Sequence, residues 1–244
     1  MKLFFAAAAA ALLFSITSVL AGPPFNTDDP EPVELHHWEF YVATHRLDSP
    51  GGASGTAPHF ELNYGAIPDL QLHIVVPLAY AFPEGAPAHR GLGDLEVGAK
   101  LRFVDEGPGR PMVGMFPLLE LPTGDADRNL GGGHTQAFIP LWLQKSFGPW
   151  TTYGGAGYWV NPGAGNRDWL YTGWLLQRRF GGAVTVGAEI FHATADHVGG
   201  SADTRYNVGL MLDFGERHHL LLSAGRSIEG DVRFEGYAAY QLTL

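Results

Sequence analysis

The chain contains no cysteine among its 244 residues, which excludes a disulfide framework and thiol chemistry. Basic residues are scarce: 15 Lys and Arg stand against 25 Asp and Glu, for a net charge of −10. That balance argues against a nucleic-acid partner. Beyond Ala21 no stretch approaches the ~20 consecutive apolar residues that a membrane-spanning helix requires. If the chain crosses a membrane, it does so with strands.

The first 21 residues have the three parts of a secretory signal peptide. Lys2 supplies the positive charge, Leu3 to Phe14 is unbroken and apolar, and Val19 and Ala21 occupy the small-residue positions of a cleavage site. An exported protein without disulfides must gain stability elsewhere, and a closed barrel is one solution. Glycine is abundant, at 33 residues, while charged residues make up only 16%. This suits a β protein with many tight turns.

Residues 22–34 (GPPFNTDDPEPVE) are Pro-rich and acidic, without periodicity, and predict an extended N-terminal arm. From Leu35 onward, residues 35–244 alternate with a two-residue period. Twelve runs are expected: 35–46, 57–66, 70–82, 93–105, 111–122, 135–147, 149–161, 168–180, 183–193, 204–214, 217–227 and 232–244. Short links tend to alternate with longer ones. An even strand count with short turns on one side is the plan of a transmembrane β-barrel. Aromatics near the run ends, among them Trp38, Phe103, Phe147, Trp159, Trp169, Phe180 and Phe214, suit interfacial girdles. A soluble sandwich is the competing fold. The last run alternates nearly to Leu244, as a strand read by barrel-insertion machinery would.

Parity then assigns an inner face. The lumen-facing candidates are His37, Glu39, Glu61, His73, Glu96, Lys100, Arg102, Glu120, Glu189, Asp213 and Arg233. A basic side chain on the lipid face costs about 2–4 kcal/mol near the midplane, so charge belongs inside. Gly98, Gly114, Gly173, Gly187, Gly209 and Gly225 share that parity. Missing side chains there either permit curvature or let another segment lie against the wall. Asp28, Asp29 and Glu31 of the arm are expected to reach Lys100, Arg102 or Arg233 from the periplasmic side. Pro117 and Pro140 flank the hairpin around 123–134 at similar depth. They predict local bulges or, alternatively, a lateral seam, since proline withholds a ladder donor.

The histidines show no compact ligand spacing, so no metal and no cofactor are expected. Ser223 with His219 is the only nucleophile–base pair near in sequence, and no orienting residue can be named for it. No catalytic residue is therefore assigned and the chain is not expected to be an enzyme.

The segments Gly22 to Val33, His37 to Tyr41 (HWEFY), Gly91 to Glu96 (GLGDLE), Phe116 to Asp125 (FPLLELPTGD), Pro140 to Lys145 (PLWLQK) and Gly148 to Gly155 (GPWTTYGG) carry a resemblance. The chain resembles the meta-pathway phenol-degradation family of outer-membrane transporters over essentially its whole mature length. The resemblance implies a barrel surrounded by outer-membrane lipid that passes hydrophobic or aromatic solutes. It implies no binding residue. The alternatives are a packed structural or adhesion barrel and, less favoured, a lipid-modifying enzyme.

Overall fold

The computed structural model describes residues 23–244, so the expected signal peptide lies outside the described residues. The strands form one antiparallel sheet of fourteen ladder segments. Two pairs of segments are halves of one interrupted strand, which leaves twelve. These are β1 (Trp38–Ser49), β2 (Gly52–Ile67), β3 (Leu70–Pro83), β4 (His89–Leu92 with Leu95–Val104) and β5 (Met112–Met115 with Leu118–Leu121). Then follow β6 (Gln136–Phe147), β7 (Trp150–Val160), β8 (Trp169–Phe180), β9 (Val184–Ala193), β10 (Asp203–Asp213), β11 (His218–Glu229) and β12 (Phe234–Thr243). The first and last strands pair from Glu39 with Thr243 to Asp48 with Phe234, closing the barrel.

The alternation has a clear physical outcome on β8. Tyr171, Leu175 and Gln177 are buried inside, while Leu170, Trp174 and Leu176 stand outward. The outward apolar residues have no protein to cover them, which is the surface a barrel shows to lipid. Strands of 10–16 residues rise about 3.3 Å per residue and, tilted, span a hydrocarbon core of roughly 30 Å. This is the wall of an outer-membrane barrel.

The two interruptions have local causes. Between Leu92 and Leu95, Gly93 turns its N–H to the Pro77 carbonyl, while the Asp94 carboxylate accepts N–H donors from Gly124 and Gly132. Between Met115 and Leu118, Pro117 has no N–H to give, and Phe116 is buried inside. Across this break β5 and β6 pair Gly114 with Trp142 and Leu118 with Phe138, with no pair in between. By that register Phe116 faces Pro140 and Pro117 faces Ile139. Pro117 and Pro140 are thus neighbours across an unpaired stretch of ladder.

One expected long loop is absent. A long connection is expected between the runs ending at residue 46 and starting at residue 57, yet β1 and β2 continue through it and join by a tight turn at Pro50 and Gly51. Small residues serve close approach here. A side chain on Gly55 (φ 154°) would strike the His45 carbonyl, and the Tyr80 hydroxyl donates to that same carbonyl. The remaining loops on this rim tend to be longer than the turns on the other, although the 230–233 link is as short as a turn and the 105–111 turn is as long as a loop. By the usual plan of such barrels, the short-turn end faces the periplasm.

Candidate functional site

The arm 23–34 runs through the lumen, and the wall is cut to receive it. Phe25 lies against Gly187 and Gly209, Thr27 against Gly173, and Pro30 against Gly114. Any side chain at those glycines would occupy the arm's space. Glu189 accepts the backbone N–H of Asn26 at 3.0 Å and of Thr27 at 2.7 Å. Asn26 Nδ2 donates to Glu235 at 3.0 Å, Ser223 Oγ donates to the Pro24 carbonyl at 2.6 Å, and Gln71 accepts from the Val33 N–H at 2.9 Å. Gln144 Nε2 donates to Glu31 at 2.8 Å. Each of these is a backbone or side-chain polar group that the arm would otherwise bury unpaired.

Lys100 supplies the charge. Its ammonium lies 2.8 Å from Asp28 and 3.5 Å from Asp29, and 5.1 Å from the centre of the Phe116 ring. Burial pushes the Asp29 carboxyl well above the usual carboxylate range, and Lys100 opposes that shift. Burial likewise raises Glu31, against the hydrogen bond from Gln144.

The other candidates fall into three places. Glu39, Glu61, His73, Glu96 and Glu189 point inward, with Glu39 accepting from Tyr41 at 2.7 Å and Glu61 from Asn63 at 2.8 Å. His73 bridges Asn63 at 2.6 Å and Glu96 at 2.9 Å. Glu120 also faces inward, directly opposite Glu96 in the register. Arg102 and Asp213 lie at the short-turn rim. Arg102 meets Asp69 and, at 3.1 Å, Asp105, rather than an arm carboxylate. Asp213 meets Arg179 and His219, each at 2.8 Å. One assignment needs correction. Arg233 is exposed and precedes β12, so strand parity does not govern it; only its backbone N–H is engaged, with the Asp48 carbonyl. His37 precedes β1 and stands exposed at the rim, 3.8 Å from Glu34, where it borders the mouth of the periplasmic-side cavity.

Ser223 and His219 do not form a pair. The serine donates to Pro24 and the histidine meets Asp213.

Alternation missed an aromatic lining. Trp159 and Trp169 are not outward girdle residues. They face inward and stack at 5.2 Å, with Phe138 stacked on Trp159 at 4.8 Å. Phe116, Trp142, Tyr171 and Phe191 complete the cluster. An inner face this apolar cannot be told from an outer one by hydropathy alone.

The arm divides the interior. Toward the periplasmic rim lies a cavity of about 730 Å³ bordered by Glu39, Tyr41 and Gln241. Toward the loops lies one of about 610 Å³ bordered by Phe25, His59 and Glu96. Pro23 borders both. Among the described residues no group of three or more metal-ligating side chains comes together.

Among solved structures, the chain is similar to an outer membrane channel from Pseudomonas putida F1, with a TM-score of 0.71 at 16% identity over 88% of this chain and 98% of that one. The KdgM porin aligns with a TM-score of 0.59 at 12% identity, over 84% of this chain and 98% of the porin. The β domain of the Bordetella autotransporter BrkA aligns at 0.54 and 14% identity, over 85% and 98%. No curated protein matches. Residues 61–244 match the family described as "Putative MetA-pathway of phenol degradation". The arm and β1 lie before the matched residues.

Proposed function

The chain belongs to that phenol-degradation family, and on this footing we propose that the barrel is an outer-membrane channel admitting small hydrophobic or aromatic molecules past its arm. The observation that carries the proposal is the manner in which the arm is held. It joins no strand ladder along residues 23–34, sits on glycine seats and hydrogen-bonded side chains, and has a cavity on either side. Such a segment can leave without unpairing the wall. The aromatic cluster inside β6 to β9 is buried while the arm is seated, with Tyr171 against Thr27, and an arm that leaves would uncover rings able to stack with a planar solute.

The test is conductance of the purified protein in planar bilayers, together with swelling of proteoliposomes in benzyl alcohol. Discrete current steps and solute-dependent swelling are expected. Silence in both assays would leave a packed structural barrel.

A second route is favoured by one specific observation, the unpaired ladder at Pro117 and Pro140. Apolar cargo would leave there sideways into lipid. Substituting valine at both positions supplies two backbone donors, the one at 117 toward Ala99 on β4, where the Pro117 carbonyl already accepts, and the one at 140 within the unpaired stretch, each hydrogen bond contributing about 1 kcal/mol. Toluene uptake by cells carrying the double variant is expected to fall while ion conductance stays. Unchanged uptake counts against the seam.

A further inference from the structure

The chain carries a net charge of −10, yet one sector of its outer wall is basic. Arg46 on β1 continues the outward face of Trp38 and Val42, Arg90 on β4 pairs with Tyr80 on the face of Leu78, and Arg226 on β11 pairs with the exposed Tyr206. Each lies within four residues of the loop end of its strand. Going round the barrel, β4, β3, β2, β1, β12 and β11 are successive neighbours, so the three arginines share one side. An arginine on the lipid face is tolerated only close to the water interface, and that is where these stand.

The wall between them is shaped. Arg90, Tyr80, Gly55, Arg46 and Gly236 form one cross-strand row. Neither glycine raises a side chain. Tyr80 lies across Gly55 to donate to the His45 carbonyl at 3.2 Å, and the Phe234 ring lies against Gly236. A cavity of about 870 Å³ is bordered by both arginines and by Tyr80, Phe82 and Phe234, and reaches the inner-face residues Ser223 and Tyr237 beside the bulge at Thr44. Strands stand about 4.8 Å apart, so the Cα atoms of Arg46 and Arg90, three strands apart, are about 14 Å from each other.

The charges are poorly matched within the protein. Arg226 has no hydrogen bond and no ion pair among the described residues, and Arg90 has only the Phe82 ring, 5.5 Å from its guanidinium. Arg46 lies 2.9 Å from Asp48. The carboxylates Glu84, Glu229 and Asp231 are exposed at or beyond the strand ends, on the water side. A guanidinium is weakly hydrated and its planar fork matches phosphate oxygens in pairs. One row further from the loops the outward residues are apolar, with Leu78 opposite Leu92 and Ala238 opposite Thr44. Cations above and hydrocarbon below is the order in which an anionic lipid presents its headgroup and chains.

We infer that this sector binds a phosphorylated glycolipid of the outer leaflet. Its phosphates sit on Arg46, Arg90 and Arg226, and its acyl chains run along Leu78, Leu92 and Ala238. The inference rests on the barrel lying in the outer membrane with its loops outward, and not on whether it conducts.

Native mass spectrometry of the full chain in detergent counts bound lipid, with diphosphoryl lipid A, phosphatidylglycerol and inorganic phosphate as the probes. One lipid A per chain is expected, held more tightly than phosphatidylglycerol, whose single phosphate cannot reach two separated arginines. A basic residue near an anionic lipid surface is worth about fivefold in binding, so the variant Arg46→Gln, Arg90→Gln, Arg226→Gln is expected to bind on the order of a hundredfold more weakly. The shifted migration of a folded barrel on unheated gels checks that the variant folds. Arg178→Gln, at an outward arginine of the short-turn rim that lies over Trp150, serves as the control. Equal binding by the triple variant and the unchanged chain, or an equal loss in R178Q, overturns the inference. So does phosphatidylglycerol binding as tightly as lipid A. Displacement of the lipid by inorganic phosphate at matched concentration also overturns it, because the site would then serve the free anion.

Discussion

Gly209→Val is expected to open the channel without harming the wall. Gly209 lies in the middle of β10, paired on both sides, with Gly187 and Ser223 as its partners. A β-branched residue is well suited to such a strand, so the barrel itself should fold as before or better. The added methyls point at Phe25, which already lies too close to admit even a Cβ. The wall cannot yield, because the Leu222 backbone oxygen stands 3.2 Å away on the other side. The arm must yield instead. Phe25 is only partly buried and borders the loop-side cavity, so unseating it costs less than the about 3–5 kcal/mol of a fully buried phenylalanine; about 1.4 kcal/mol already shifts the equilibrium tenfold. The arm would shift toward the displaced state. Two measurements should move together: single-channel conductance rises several-fold, and protease cuts within residues 23–34 where it did not before. If the arm is cut freely and the conductance is unchanged, the arm does not limit flow.

Why the wall was legible and the arm's grip was not follows from what each depends on. Strand parity is a local property. Glu39, Glu61, His73 and Glu189 could be placed inward because a charge on the lipid face is expensive and its neighbours two residues away are polar as well. The glycines were a fainter signal of the same kind, since a missing side chain at a regular inward position leaves room for something. Four of them, Gly114, Gly173, Gly187 and Gly209, meet the arm. Gly98 and Gly225 instead meet their own wall, through Leu118 and the Tyr206 carbonyl. What sits in the room depends on pairings across more than a hundred residues, such as Asn26 and Thr27 with Glu189. Asp28 and Asp29 stood out by charge, whereas Phe25, Asn26 and Thr27 carried no pattern. The inward Trp159 and Trp169 were misread for a related reason: alternation reports two faces but not which is wet when both are apolar. The link between the runs ending at residue 46 and starting at residue 57 was misread because alternation fades there, where glycine and serine mark a place in which strands crowd.

Lys100→Met is the complementary test, aimed at charge rather than shape. The lysine is 4% exposed and its partners Asp28 and Asp29 lie at 2.8 and 3.5 Å. Removing one side of a buried ion pair typically costs about 3–5 kcal/mol, because the charge left behind is neither paired nor hydrated. Methionine keeps the length of the side chain and its place beside Phe116, so packing on the wall changes little. The penalty falls on the arm, where Asp29 has no exposure at all. The expected result is an arm released as fully as in Gly209→Val, read by the same protease cut. Packing and charge then separate in the triple variant Lys100→Met, Asp28→Asn, Asp29→Asn. Replacing both sides of a buried pair with neutral groups is often close to neutral, so the triple variant should reseat the arm that the single variant frees. Restored protection gives a coupling energy between wall and arm that neither change reveals alone. A triple variant as labile as the single one would mean that Glu189 and the glycine seats hold the arm, with the lysine merely tolerated beside them. The two outcomes predict different responses to salt. An arm held by a buried pair is screened little between 0.1 and 1 M ionic strength, roughly 10 and 3 Å of Debye length, and an arm held by shape is not screened at all. Only attraction from the partly exposed Asp28 should weaken, and the cycle repeated at both ionic strengths isolates that share.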